Sequence, residues 1–177
     1  MRLEMMGPPG AGKTFIGQAV AKKAGVPFID VSDLLQDEAA HNPDVAETMA
    51  HGDLVSPDVT ARLVDARLAQ PDARKGWVMA GYGRDLADAH HLIDWTRSAN
   101  VHDVAFVGLQ VPTAVLLQRL GARGRSDDKP DVIAHRLEVY QHDTVPVVTY
   151  LKSQHLYHEV DANGSPEEVQ QRVLEQT

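Results

Sequence analysis

Residues 7–14 read Gly7-Pro8-Pro9-Gly10-Ala11-Gly12-Lys13-Thr14 and match the pattern G-x-x-x-x-G-K-[ST]. A short apolar run precedes them and a segment of helical period follows. Small residues let successive backbone N–H groups turn toward phosphate oxygens, and the start of a helix adds partial positive charge. Lys13 can then neutralise the β and γ phosphates, and the Thr14 hydroxyl can bind Mg²⁺. The pattern predicts a phosphate-binding loop; the alternative is a turn that only joins a strand to a helix.

Outward from this loop, short apolar runs alternate with longer segments of helical period, which is typical of a parallel α/β sheet. The pattern predicts five strands, at residues 3–6, 26–30, 77–81, 103–109 and 155–160. It predicts eight helices, at residues 13–24, 32–40, 43–51, 57–69, 86–97, 112–122, 130–153 and 165–175. We therefore expect a three-layer α/β/α fold of the P-loop class, with a five-stranded parallel sheet.

The segment between the second and third predicted strands is longer than one crossover needs. It holds about 45 residues with three helical patterns, whereas most connections in compact domains are much shorter. We interpret residues 31–60 as a helical lobe inserted into the single domain.

Composition limits the classes of partner. The chain has 177 residues and 17 Lys and Arg against 25 Asp and Glu, for a net charge of −8. That length suits one domain, and the acidic balance disfavours nucleic acid and anionic membranes as partners. Without cysteine the chain has no disulfide and no cysteine zinc site, which fits a reducing cytoplasm. The short apolar run at the N-terminus is interrupted at once by Gly and Pro, so we expect neither a signal peptide nor a membrane span.

Basic residues nevertheless concentrate in two places. Arg119, Arg123, Arg125 and Arg136 fall within eighteen residues, and Arg84 follows the third predicted strand. Phosphoryl transfer spreads negative charge over three oxygens, and guanidinium groups that hold the transferring group in line supply much of the catalysis. The alternative is that these arginines form weak, solvated pairs with nearby acidic residues.

Four further segments carry a resemblance: Gly52-Asp53-Leu54-Val55-Ser56, Gly81-Tyr82-Gly83-Arg84, Arg125-Ser126-Asp127-Asp128 and Arg136-Leu137-Glu138-Val139-Tyr140. In order and spacing they resemble the signatures of adenylate kinases and related nucleoside monophosphate kinases, from the phosphate loop to the C-terminus. The connection near residue 125 is short, so the resemblance is to the short-lid form, which has no structural zinc. It implies a core of residues 1–30, 61–121 and 130–177, a monophosphate-binding lobe at 31–60 and a lid at 122–129.

The resemblance also implies a function and a site. The function is reversible, Mg²⁺-dependent transfer of the γ-phosphoryl of ATP to a nucleoside monophosphate, with AMP as first candidate, by a cytoplasmic monomer. The implied catalytic residues are Lys13, Arg84, Arg123, Arg125 and Arg136. The implied ATP-binding residues are Gly10, Ala11, Gly12, Lys13, Thr14, Arg119, Arg123, Gly164 and Ser165. The implied AMP-binding residues are Ser32, Asp33, Gln36, Asp53, Leu54, Val55, Gly81, Arg84, Asp88, Arg125 and Arg136, and the implied metal ligand is Thr14.

Several positions depart from the family pattern. Ala80 stands where the family has the aspartate that orders water around Mg²⁺. On the acceptor side, Gln36 replaces an arginine and Asp88 replaces the glutamine that contacts the adenine of AMP. Thr14 replaces a glycine, and we hypothesise that its hydroxyl partly substitutes for the missing carboxylate.

Two alternatives remain open at this point. Gly12–Gly17 and Phe28-Ile29-Asp30 are similar to shikimate and gluconate kinases, which phosphorylate a hydroxyl, and UMP or CMP is also a possible acceptor. The altered acceptor positions also leave room for a nucleotide-binding module with reduced kinase activity. A panel of acceptors separates these hypotheses.

Overall fold

Five parallel strands form the sheet of this computed structural model, which describes residues 1–101, 104–123 and 129–176. They are β1 (Arg2–Met6), β2 (Phe28–Asp30), β3 (Trp77–Ala80), β4 (Val104–Gln110) and β5 (Tyr157–Asp161), in the order β2-β3-β1-β4-β5. The central strand β1 leads directly into the phosphate loop, between the carboxyl ends of β3 and β4. The predicted five-stranded parallel sheet is confirmed.

Helices connect the strands. They are α1 (Lys13–Ala24), α2 (Val31–Ala39), α3 (Pro43–His51), α4 (Pro57–Leu68), α5 (Leu86–Ser98), α6 (Thr113–Arg123), α7 (Pro130–Val139), α8 (Val145–Ser153) and α9 (Pro166–Leu174). A 3₁₀-helix, Pro71–Lys75, precedes β3. Among the helices of the described residues, none is both long and apolar enough to cross a membrane.

Each face of the sheet carries its own apolar core, which is what the alternation of side chains along buried strands requires. Leu3 and Met5 of β1 pack with residues of α1 and α9 on one face. Met79 of β3 and Phe106 of β4 pack with residues of α4, α5 and α8 on the other. The fold therefore has three layers, as the alternating pattern predicted.

The second strand begins later than predicted because the preceding residues cap helix α1. We predicted that the second strand begins at residue 26, but Gly25 adopts a left-handed conformation that ends α1, and the Val26 N–H donates to Ala21 O at 3.1 Å. Pro27 lacks an N–H, so β2 begins at Phe28. The fifth strand begins at Tyr157 rather than 155 because His155 has a φ of +57°, outside the strand region.

The predicted helix at residues 130–153 is interrupted. A π-helical turn, Tyr140–Thr144, separates α7 from α8. Pro146 lies in the first turn of α8. Because proline has no N–H and its ring collides with the carbonyl four residues earlier, a regular α-helix cannot pass through this point. The turn brings Thr144 to the sheet edge, where its hydroxyl donates to Arg84 O at 2.8 Å.

Helices α2, α3 and α4 fill the long connection between β2 and β3. Val31, Leu35 and Val45 from α2 and α3 share an apolar core with Val64 of α4. These helices rise beside the carboxyl ends of the strands, next to the phosphate loop. Most of the predicted lid, at 124–128 within 122–129, lies outside the described residues.

Candidate active site

The phosphate loop joins β1 to α1 through glycines in left-handed conformations. Gly10 has a φ of +83°, and a Cβ there would lie 2.9 Å from Leu120 Cγ. Gly12, at +94°, is the N-cap of α1. An L side chain would be strained at both positions and would collide with α6 at the first. The loop therefore presents backbone rather than side chain to the space above it.

Lys13 folds back over this loop. Its Nζ donates to the carbonyl oxygens of Gly7, at 2.7 Å, and Pro8, at 3.0 Å. The ammonium group therefore lies above the loop, where phosphate oxygens approach the start of α1. This arrangement can neutralise a polyphosphate.

A cleft of about 420 Å³ extends from the phosphate loop to helices α2 and α3. Most of the predicted site residues line it: Gly10, Gly12, Lys13, Thr14, Ser32, Gln36, Asp53, Leu54, Val55, Gly81, Arg84, Asp88, Arg119 and Arg136. Ala11 is buried behind the loop and Asp33 is exposed on α2. Gly164 and Ser165 lie just beyond β5, outside the lining. The Arg123 side chain and all of Arg125 are outside the described part of the chain.

Arg84 lies at the floor of the cleft, where β3 ends. Its Nε donates to Gly81 O at 3.0 Å, and its backbone N–H donates to Asp88 Oδ2 at 3.3 Å. Burial lowers the pKa of the guanidinium, whereas the carboxylates of Asp88 and Asp30 raise it. Arginine begins so far above neutrality that the group stays charged. A fixed positive charge is therefore held at the centre of the cleft.

Two further arginines approach from the C-terminal half of the chain. Arg119 of α6 donates to Ala11 O and to Ala162 O, both at 3.4 Å, and so connects the phosphate loop to the segment after β5. Arg136 of α7 packs against Gly52, where an added Cβ would lie 3.1 Å from its Cγ. Arg119 therefore lies on the phosphate-loop side of the cleft and Arg136 on the side of α3, with Arg84 between them.

Comparisons with known proteins agree with this geometry. A family model described as adenylate kinase matches residues 5–156. The chain is 36% identical over 173 residues to an adenylate kinase of Mycobacteroides abscessus, covering 96% of this chain and 94% of that one. It is 37% identical over 179 residues to one of Mycobacterium ulcerans, covering 99% and 98%. It is 36% identical over 178 residues to one of Mycobacterium tuberculosis, covering 98% and 97%.

The chain belongs to the adenylate kinase family. It is a phosphotransferase, a nucleoside monophosphate kinase, and the family resemblance identified in the sequence is confirmed.

Asp30 also lines the cleft of this adenylate kinase family member, although no sequence pattern assigns it a role. Thr14 Oγ1 donates to Asp30 Oδ2 at 2.8 Å, and the Ser32 N–H donates to Asp30 Oδ1 at 2.9 Å. The carboxylate therefore joins the phosphate loop to the first turn of α2. Its position as the last residue of a predicted parallel strand, at the same edge of the sheet as the phosphate loop, is the signal that could have identified it.

Hard oxygen donors at this point suit Mg²⁺, which binds through few protein ligands and several phosphate and water oxygens. Within residues 1–101, 104–123 and 129–176, no group of three or more His, Asp or Glu side chains could hold a metal ion alone. The Thr14 hydroxyl and the Asp30 carboxylate are thus suited to an ion that arrives with the nucleotide.

Glu4 is a second residue that the sequence analysis left without a role. It is fully buried in β1, and its Oε1 accepts the Tyr82 N–H at 3.0 Å, while Oε2 has no hydrogen-bond partner among the described residues. Burial raises the pKa of Glu4 well above its usual range, despite the Tyr82 bond and the charge of Arg84. A carboxylate between apolar residues of a buried strand was the available signal.

The pKa of Glu4 predicts a pH-dependent effect on stability. The folded state holds a proton that the unfolded chain releases, so this contribution is present below the unfolded pKa and is lost as pH rises through the folded one. Glu4→Gln keeps the acceptor for Tyr82 and cannot ionise. We expect wild type and variant to melt together near pH 4, and the variant to melt higher at pH 8–9 by about 2–4 °C per kcal/mol.

Circular dichroism melting curves from pH 4 to 9 measure this difference, with exposed Glu47→Gln of α3 as the matched control. The control difference should stay flat across the range. A variant less stable than wild type at high pH would show that Glu4 is ionised and stabilised by Arg84.

Proposed function

We propose that this kinase transfers the γ-phosphoryl of Mg²⁺-bound ATP to AMP, reversibly and with two ADP as products, as a cytoplasmic monomer. One observation carries the proposal. A single cleft joins the phosphate loop to helices α2 and α3, and Lys13, Arg84, Arg119 and Arg136 all line it. ATP and AMP must meet with their phosphates end to end, and four cations along one cleft can neutralise both of them.

The chemistry needs positioning and charge rather than a general base. The acceptor phosphate is already an anionic nucleophile, so alignment, neutralisation and exclusion of water lower the barrier. In our proposal Lys13 and Arg119 hold the ATP phosphates, while Arg84 and Arg136 hold the acceptor phosphate. Arg123 and Arg125 are proposed to contact the transferring group from the lid side.

Mg²⁺ would supply charge neutralisation of the β and γ phosphates when bound. Thr14 is the protein ligand proposed from the sequence, and its hydroxyl lies at the start of α1, beside the phosphate loop. The hydroxyl already donates to Asp30, which fixes its rotamer and directs its oxygen lone pairs away from that carboxylate.

AMP is the proposed acceptor because the family resemblance implies it and because apolar side chains line the part of the cleft near α3, where a base can pack. Leu54 and Val55 line that part with Met49. Gln36 and Asp88 also line the cleft, at positions where the family has an arginine and a glutamine. These two differences make the acceptor base the first property to measure.

A coupled spectrophotometric assay with ATP, Mg²⁺ and a panel of acceptors tests the proposal. The panel contains AMP, GMP, CMP, UMP, shikimate and gluconate. We expect kcat/KM to be highest for AMP, with the hydroxyl acceptors inactive. Turnover below about 0.01 per second with every acceptor would favour a nucleotide-binding module, because typical enzymes turn over far faster.

Replacement of Arg136 tests the proposed division of the cleft. Arg136→Ala removes a charge-assisted contact to the acceptor phosphate, so we expect kcat/KM for AMP to fall about 10- to 100-fold or more. ATP binding, measured by calorimetry without acceptor, should change little.

The matched control is Arg97→Ala, which removes an exposed arginine of α5 whose partner is Asp94 at 2.8 Å. This variant should keep wild-type kinetics. Near-normal turnover of Arg136→Ala would contradict the role assigned to Arg136.

Asp88 makes acceptor binding sensitive to pH. Burial, and then the charge of Asp85, raise its pKa to about 7, so it ionises as pH passes neutrality. The ionised carboxylate lies beside Arg84 and weakens the positive field felt by the acceptor phosphate. Asp88→Asn keeps an acceptor for the Arg84 N–H but stays neutral. We therefore expect equal KM values for AMP at pH 6, and a wild-type KM about three- to tenfold higher at pH 8.

Steady-state kinetics from pH 6 to 8.5 measure this effect. The AMP phosphate ionises over the same range, but it does so equally with both proteins, so the ratio of the two KM values isolates Asp88. Asp94→Asn, an exposed change on the same helix, is the control. A ratio that stays constant with pH would contradict the prediction.

A further inference from the structure

Ala80 and Asp30 occupy paired positions in the sheet. Ala80 ends β3, Asp30 ends β2, and the two residues are register partners in the parallel ladder. Side chains of such partners point to the same face of the sheet, from strands about 4.7–4.9 Å apart. Here that face is the one covered by α1: Ala80 packs in its apolar core with Ile16, and Asp30 reaches Thr14 at the start of the helix. A carboxylate absent from one strand end is therefore present on the next.

The two oxygens of Asp30 have separate partners. Oδ1 accepts the Ser32 N–H at 2.9 Å, as the N-cap of α2 does. Oδ2 accepts the Thr14 hydroxyl at 2.8 Å, at the edge of the phosphate loop. Capping alone needs one oxygen and no charge, since asparagine and serine cap equally well. The second oxygen and the negative charge therefore need another explanation.

The charge of Asp30 is unfavourable for an acceptor phosphate. It lines the same cleft and interacts electrostatically with Arg84, the cation at the cleft floor. An anion in this place opposes the binding of phosphates unless a cation accompanies them. A divalent ion bound between the phosphates and the Asp30–Thr14 pair converts this repulsion into attraction.

We propose that Asp30 supplies the carboxylate for the nucleotide-bound Mg²⁺, together with the Thr14 hydroxyl, in place of a carboxylate at position 80. The inference rests on the proposed function for the presence of Mg²⁺ and ATP, and it is independent of the acceptor. In this arrangement Thr14 donates its proton to Asp30 and keeps its lone pairs for the ion. The carboxylate has moved one strand along the sheet edge and remains beside the phosphate loop.

Mn²⁺ binding tests this proposal without turnover. The free Mn²⁺ signal in electron paramagnetic resonance gives the Kd of Mn²⁺ for the full-length kinase saturated with a non-hydrolysable ATP analogue. Asp30→Asn removes the charge and keeps one oxygen, which can still accept the Ser32 N–H, while an amide NH₂ replaces the oxygen that accepts the Thr14 proton. We expect the Mn²⁺ Kd to rise about 10- to 100-fold, and metal-free binding of the analogue to stay unchanged or tighten. Asp37→Asn, an exposed change on α2, should leave the Mn²⁺ Kd unchanged.

A rescue variant tests the equivalence of the two strand ends. In Asp30→Asn combined with Ala80→Asp, the carboxylate returns on the neighbouring strand, and we expect the Mn²⁺ Kd to recover at least half of the loss on a logarithmic scale. Ala80 is only 2% exposed, so the melting temperature of the double variant is measured alongside. If this variant does not fold, the result with Asp30→Asn alone decides.

A wild-type Mn²⁺ Kd in Asp30→Asn would overturn the proposal. So would a loss of metal-free analogue binding equal to the loss of Mn²⁺ binding, because that would show that Asp30 only caps α2. Failure of every acceptor in the panel would contradict the proposed function and leave the Mn²⁺ result intact.

Discussion

Two polyanions must meet end to end in this cleft, and the repulsion between them is the constraint on which the structure depends. The protein as a whole is acidic, with a net charge of −8, so its global field does not help. The fold instead places Lys13, Arg84, Arg119 and Arg136 on four different elements that converge at the carboxyl ends of the strands. Positive charge is thus local, and its position is set by the topology of the sheet.

Positive groups gathered in a partly buried cleft need negative groups around them. Glu4, Asp30 and Asp88 lie near Arg84, and a negative charge on any of them raises the pKa of its guanidinium. Burial raises the pKa of Asp88 to about 7, so the balance of charge at the floor changes within the physiological pH range. Backbone carbonyl oxygens hold Lys13 and Arg119 in place, and nearby carboxylates balance the charge of Arg84.

The sequence was sufficient where structure depends on local patterns, and insufficient where it depends on long-range pairing. The strands, the phosphate loop and most helices follow from apolar periodicity and from glycine, proline and capping residues. The predicted start of β2 is two residues too early because Val26 completes the cap of α1. The predicted helix at 130–153 is interrupted because Pro146 forces a π-helical turn before it. Contacts such as Thr14 with Asp30 need the register of β2 against β3, which periodicity does not contain.

Strand register also provides the physical basis for the proposal that Asp30 takes over from a carboxylate at position 80. The phosphate loop extends from the central strand, so an ion bound with the nucleotide would lie near a row of strand ends rather than near one side chain. Any position in that row that faces α1 can offer an oxygen at nearly the same height, because paired residues of parallel strands share a face. Ala80 and Asp30 are such a pair. The chemistry then requires an oxygen at the carboxyl ends of the strands, and either β2 or β3 can supply it.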